Sequence, residues 1–284
     1  MEKLAEGYGL VEGPVWLSGQ GLLFSDASHG GAYLLKADGS VATVFGHRRG
    51  MGGMSEHQAG GIVVSGRNIS WKSLPEGETK TIFDPDPSKG MIGFNDITTD
   101  ASGRIYAGSL GSDPLDGKSQ SQTGSLYLID LDGSAKEVAT DILLTNGLGI
   151  SPDGKTLYHS DSSRRHVNRY EIHSDGTLGE KQIFVTTKGG GPDGLALTED
   201  GRVWVALAGG GGVAVYKPDG ELEQMVEIPQ SMCTSVCFGG DDLKDLYIVS
   251  GSDGADSDRA GAVYRTRADV AGLPVAKAAV ELPS

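Results

Sequence analysis

The chain has 284 residues, 38% of them hydrophobic and 22% charged, with a formal charge of −14 and an isoelectric point near 4.8. This leaves ample material for a core but no run of about 18 apolar residues to cross a membrane. It speaks against nucleic acid or an anionic membrane as partner, since both need clustered Lys and Arg. An acidic field draws cations instead. The opening Met1 to Tyr8 lacks the apolar stretch of a secretory signal, so a cytoplasmic protein is expected.

Taken in chain order, the sequence is a succession of short runs rich in Val, Ile, Leu and Tyr, separated by polar turns. Glu12-Gly13-Pro14-Val15-Trp16 leads through Gly19-Gln20-Gly21 into Leu22-Leu23-Phe24-Ser25-Asp26. Gly52-Gly53-Met54 leads through Gly60-Gly61 into Ile62-Val63-Val64. Phe94-Asn95-Asp96-Ile97 leads through Asp100-Ala101-Ser102-Gly103 into Ile105-Tyr106-Ala107-Gly108. Asn146-Gly147-Leu148 leads through Pro152-Asp153-Gly154 into Thr156-Leu157-Tyr158, and Asp193-Gly194-Leu195 leads through Asp200-Gly201 into Val203-Trp204-Val205. The last copy is Thr234-Ser235-Val236-Cys237-Phe238 before Leu246-Tyr247-Ile248-Val249. Asp-Gly between such runs is a hairpin signal, so the chain reads as antiparallel hairpins.

The leading positions 12, 52, 95, 146, 193 and 234 recur at intervals of 40 to 51 residues. Repeats of that length with four strands each indicate propeller blades, and a solenoid would need polar capping repeats that are not visible. The expected fold is all-β, a six-bladed β-propeller with four antiparallel strands per blade, forming one domain over residues 1–284. A segment near residues 2 to 8 is expected to pair into the last blade and close the ring. Cys233 and Cys237, four apart on one strand, fall on one face about 13 Å apart, too far for a disulfide. They read as buried, inert thiols.

Three insertions, at residues 45–51, 110–122 and 252–261, are expected to form rims or lids over one face. In register, the leading residues share one height at the mouth of the axial tunnel, and Glu12, Asn95, Asn146 and Asp193 all offer oxygen donors. Two carboxylates about 5 Å apart repel by roughly 3 kcal/mol even at an effective dielectric near 20, and a divalent cation removes that cost. The donor set suits Ca²⁺, Mg²⁺ or Mn²⁺, with Zn²⁺ or Fe²⁺ as further possibilities. No Gly-x-Ser-x-Gly elbow and no His-Glu-x-x-His pair occurs, which speaks against serine-hydrolase and zinc-protease chemistry.

These motifs, in order from about residue 8 to 265, resemble the gluconolactonase and regucalcin family. The resemblance rests on Glu12-Gly13-Pro14-Val15-Trp16, Phe94-Asn95-Asp96, Asn146-Gly147-Leu148 with Ser151-Pro152-Asp153-Gly154, Pro192-Asp193-Gly194-Leu195 and Cys237-Phe238-Gly239-Gly240. It implies a six-bladed propeller with one divalent ion, Ca²⁺ foremost, at the top of the tunnel. Glu12, Asn146 and Asp193 would be direct ligands, and Asn95 a fourth ligand or the holder of a metal-bound water or substrate oxygen. The implied reaction is lactone hydrolysis, with the metal polarising the carbonyl and Asp193 assisting as base.

One departure bears on the substrate. The regucalcin pattern places an Arg two residues before the Asn of Phe-Asn-Asp, where it contacts sugar hydroxyls, and here that place is Gly93. Arg48 or Arg49 is a candidate to reach the same space, the alternative being that Met51 and Met54 make the pocket apolar, and His159 is a candidate to face the tunnel, a packed or turn-bonded histidine being the other reading. The leading expectation is a metal-dependent lactonase acting on a small-molecule lactone. The alternatives are a phosphotriesterase-like or other ester hydrolase on the same metal, and a non-catalytic calcium-binding propeller. Nothing in the sequence fixes an oligomeric state.

Overall fold

The computed structural model describes residues 1–74, 77–114 and 121–283. Its described residues form 24 strands in six four-stranded antiparallel sheets. Five sheets are continuous along the chain, each running outward from an inner strand: Val11–Leu17, Met54–Glu56, Gly93–Thr99, Thr145–Ile150 and Gly191–Leu197. The sixth combines Cys233–Gly239, Asp245–Ser250 and Gly261–Arg267 with Glu2–Tyr8 as its outermost strand. This is the six-bladed propeller expected from the repeats, and its ring is closed by the amino-terminal segment. Pairing the two ends also removes the edges that a linear stack would expose.

The apolar alternation of each strand fills the wedges between blades. Buried clusters sit blade against blade around the whole ring: Leu17, Leu23, Met54 and Ile62 between blades 1 and 2, for example, and Tyr158, Val167, Leu195 and Val205 between blades 4 and 5. The final wedge joins Val11, Phe24, Val249 and Val263, with Trp16 stacked on Tyr247 at 5.4 Å. Each such side chain contributes about 1.5 to 3 kcal/mol when fully buried, so stability is distributed evenly around the circle.

The carboxyl-terminal segment adds a second closure that no repeat announces. After the last strand it crosses the lower face, bonding to blade 6 (Gly272 N to Leu243 O, 2.8 Å), blade 5 (Leu273 N to Leu197 O, 2.8 Å), blade 2 (Ala278 N to Glu56 O, 2.8 Å) and blade 3 (Glu281 N to Leu131 O, 2.7 Å). His57 Nε2 meets Val280 O at 2.9 Å, and Ala278 and Val280 are fully buried. Truncation after Ala271 is expected to cost roughly 3 kcal/mol in buried area and backbone bonds, or about 5 to 10 °C in Tm. A melting curve checks this, and an unchanged Tm would mean that the tail holds nothing together.

The cysteines depart from expectation in one respect. A bulge between Cys233 and Ser235 breaks the alternation, so Cys233 packs into the wedge with blade 5 while Cys237 packs toward blade 1. They are unbridged thiols on opposite faces, and burial pushes both upward in pKa.

Candidate functional site

The same kind of bulge builds the axial site. On a straight strand successive side chains alternate between faces, and the leading residues would follow that alternation into the wedges. Each of four inner strands instead slips register against its neighbour at that place: between Glu12 and Val15, Phe94 and Ile97, Thr145 and Leu148, and Pro192 and Leu195. Bulges re-aim side chains beside the extra residue. They bring Glu12, Asn95, Asn146 and Asp193 together in the lining of one cleft of about 780 Å³ on the upper face.

Two leading positions contribute no donor to this lining. Thr234 turns its hydroxyl to Val11 O (2.5 Å), and Gly52 provides space. A Cβ at residue 52 would lie 2.0 Å from Asn95 Oδ1, closer than any real Cβ contact.

Hydrogen bonds fix the amides. Asn95 Nδ2 donates to Thr145 O and to Asn146 Oδ1, both at 2.8 Å. Asn146 Nδ2 donates to Ser162 Oγ (2.9 Å), which donates to Pro192 O (2.5 Å) beside Asp193. One polar chain thus runs across blades 3, 4 and 5 and leaves Asn95 Oδ1 as that side chain's available group. The carboxylates join no such side-chain chain among the described residues, and only the backbone N–H groups of Gly13 and Gly194 reach Glu12 and Asp193. Asp193 is 4% exposed, and its Oδ1 is buried without a hydrogen bond.

The electrostatics carry the same signature. Burial pushes Glu12 well above the ordinary carboxylate range, and the charges of Asp193 and Asp96 push it further. Asp193 is raised by burial and then by Asp96. Asp96 itself is pushed up to about 7 by burial, against the bond from Ile97 N to its Oδ1. It faces a second cavity, of about 1460 Å³, on the lower side of the axis. Reading the sequence assigned Asp96 no role, although it stands next to Asn95 in the Phe-Asn-Asp motif.

Among the described residues, no three His, Cys, Asp and Glu side chains converge as a metal cluster. The floor pairs two carboxylates with two amides instead. An unpartnered buried carboxylate oxygen, mutual repulsion and an all-oxygen donor set fit a hard divalent cation.

The insertions gather over this cleft as expected. Gly50, Leu110, Asp113, Pro114 and residues 252–258 all line it, while 115–120, the middle of the second insertion, lie outside the described residues. Four expected substrate contacts do not line the cleft. Arg48 turns into blade 2, donating to Ser65 O (3.0 Å), Asn68 O (2.9 Å) and Asn68 Oδ1 (3.1 Å), and Arg49 is exposed outside the lining. Met54, like Met51, belongs to the apolar wedge between blades 1 and 2. His159 is fully buried, its Nε2 3.0 Å from Thr145 Oγ1, and burial lowers its pKa to about 4. It is a neutral packing residue held behind the site. Among the described lining residues the one Lys or Arg is Arg67, which reading the sequence did not single out.

A closed six-bladed ring with carboxylate and amide oxygens converging beneath an open cleft defines a propeller with an axial oxygen-donor site. The chain belongs to the SMP-30/gluconolactonase/LRE-like family, whose model matches residues 10–252. It is 34% identical over 276 residues to the 6-deoxy-6-sulfogluconolactonase of Pseudomonas putida, covering 93% of this chain and 92% of that one. It is 29% identical over 276 residues to the regucalcin of Xenopus laevis, covering 92% of each. Its structure matches that of a luciferin-regenerating enzyme with a TM-score of 0.87, 26% identity and 98% of each chain covered. No helix among the described residues is long and apolar enough to cross a membrane.

Proposed function

We propose that this protein is a divalent-metal-dependent lactonase, opening a cyclic ester of a sugar acid or related hydroxy acid. The observation that carries this reading is the convergence of Glu12, Asn95, Asn146 and Asp193 from four blades around a buried, unpartnered Asp193 Oδ1. Membership of a family that includes a named lactonase supports it. Glu12, Asn146 and Asp193 would hold the ion, with Asn95 as fourth ligand or water holder, and the all-oxygen set favours Ca²⁺ over softer metals. When bound, such an ion supplies polarisation of the ester carbonyl and charge stabilisation at its oxygen.

The protein's own residues supply the rest. Asp193 takes a proton from the attacking water. The water oxygen bonds to the carbonyl carbon, the ring C–O bond breaks, and the departing ring oxygen receives the proton. With both Nδ2 hydrogens of Asn95 engaged, its Oδ1 accepts from the water or from a substrate hydroxyl. The wall segments 252–258 and 110–114 limit access and orient the ring. We place the protein in the cytoplasm, in keeping with its two unbridged thiols.

The test is turnover by chelator-stripped protein reloaded in turn with Ca²⁺, Mg²⁺, Mn²⁺ and Zn²⁺, on glucono-1,5-lactone, simple γ- and δ-lactones and a phosphotriester. Lactone opening is expected to fall at least about 10²-fold on stripping and to return with a divalent ion. Lactone turnover indifferent to chelation, or confined to the phosphotriester, would overturn the reading.

A further inference from the structure

In a protein of formal charge −14, a cation without a partner needs a reason. The cleft carries Glu12 and Asp193 at its floor and Asp113, Asp253, Asp256 and Asp258 on its walls, and Arg67 is the one Lys or Arg among its described lining residues. Arg67 lies in the turn between Ile62–Val64 and Ile69–Lys72 of blade 2. It is exposed and makes no hydrogen bond or ion pair with any described residue.

Its backbone is held firmly. Phe94 N donates to Gly66 O (2.7 Å) and Gly66 N to Phe94 O (3.1 Å), tying the turn to blade 3. At Gly93 a Cβ would stand 2.8 Å from Gly66 O and 3.6 Å from Arg67 Cα. The contact keeps residue 93 free of a side chain and sets Arg67 at that part of the rim. Arg48 stands close enough for the two charges to act on one another, since burial and then the charge of Arg67 both lower the Arg48 pKa. All three acceptors of Arg48 are neutral oxygens, and the Asp84 carboxylate joins this group only through Asn68 Nδ2 (3.0 Å). Arg67 thus lines the cleft while Arg48 is turned into blade 2 behind it, and no described carboxylate is paired to either guanidinium.

We propose that Arg67, backed by Arg48, is an oxyanion subsite that selects lactones whose exocyclic end carries a negative charge, such as a phosphate or sulfonate. The assignment rests on the lactonase reading. A hydroxyl group would leave both cations uncompensated, whereas an oxyanion neutralises them and receives the paired, charge-assisted bonds that a guanidinium fork is shaped to give. The acidic remainder of the cleft repels such a group, so the charged end is accepted in one place and the lactone is oriented by it.

The experiment compares glucono-1,5-lactone with its 6-phosphate and 6-sulfonate derivatives. Wild-type protein is expected to prefer at least one charged lactone in kcat/KM. Arg67→Ala should reduce the charged-to-neutral ratio about 10- to 100-fold, mainly through KM, with Arg67→Lys intermediate. The preference should also weaken with added salt. Arg49→Ala removes an exposed guanidinium from outside the cleft and should leave the ratio in place. Equal activity of wild-type protein on all three lactones, or an equal loss on all three in Arg67→Ala, would overturn the subsite while the lactonase reading stands. If wild-type protein opens none of them, nor the simple γ- and δ-lactones, that reading falls and the subsite is judged by calorimetric titration with 6-phosphogluconate. Binding weakened by Arg67→Ala supports it, and absent binding or binding indifferent to the substitution overturns it.

Discussion

Asp193→Asn is expected to make the metal-free protein more stable and the enzyme nearly inactive. Glu12, Asp96 and Asp193 lie buried along the axis; burial holds all three above the ordinary carboxylate range, and repulsion adds to it at Glu12 and Asp193. Replacing one carboxylate by an amide removes a negative charge from this group and should raise the chelated protein's Tm by about 2 to 6 °C, corresponding to roughly 1 to 2 kcal/mol. The same change removes the base and an anionic donor, so lactone turnover should fall about 10³-fold. Divalent cations should no longer raise the Tm.

The pH dependence has a definite sign. A carboxyl group whose folded pKa is raised binds protons more tightly in the folded state. Its contribution is therefore fully present below the unfolded value near 4 and is lost as pH rises through the folded value, about 7 for Asp96. The chelated wild type should lose Tm from about pH 5 to pH 8, with a shallower slope in Asp193→Asn and in wild type saturated with Ca²⁺. Below about pH 4 the trend reverses at groups such as Asp242, held at about 2 by Arg267. Scanning fluorimetry with and without chelator reads every arm. A variant that is no more stable than wild type when stripped, yet still gains Tm with Ca²⁺, would remove Asp193 from the proposed ligand set.

The repeats made the ring and the leading residues legible, because Glu12, Asn95, Asn146 and Asp193 each stand before the same apolar pattern at comparable spacing. Their aim was not legible. A bulge is a register relation between two strands, and a single strand's alternation shows nothing of the slips at Glu12, Asn95, Asn146 and Asp193. Simple alternation also hid Asp96 and placed the two cysteines on one face. The misplaced contacts have a related cause. Arg48, Arg49 and Met54 lie near Gly52 in the chain, but whether a loop side chain enters the cleft depends on the neighbouring blade, as Gly66 pairing with Phe94 shows for Arg67. The carboxyl-terminal strap carries no motif, and its anchors, Ala278 and Val280, gain meaning only from the blades they meet.

Gly52→Ala is the second substitution expected to have a large effect, although residue 52 offers no donor. The new Cβ would stand 2.0 Å from Asn95 Oδ1, 2.9 Å from its Cγ and 3.2 Å from its backbone carbonyl carbon. Asn95 is short and held by two bonds from one nitrogen, to Thr145 O and Asn146 Oδ1, so relief comes by swinging the amide out and breaking both. Asn146 then keeps its bond to Ser162 Oγ but loses the one its Oδ1 accepts from Asn95. A displacement of about 1 Å at a reacting centre is enough to cost about 10²-fold, and kcat/KM should fall by about that factor. The two broken bonds should cost roughly 1 to 3 kcal/mol, lowering the Tm by a few degrees. The cycle with Asn95→Gly isolates the cause. If Gly52 acts by making room for Asn95, the double variant is no less active than Asn95→Gly alone and recovers the stability lost in Gly52→Ala. Wild-type activity in Gly52→Ala, or losses that simply add in the double variant, would show that the open space beside Asn95 does not serve the site.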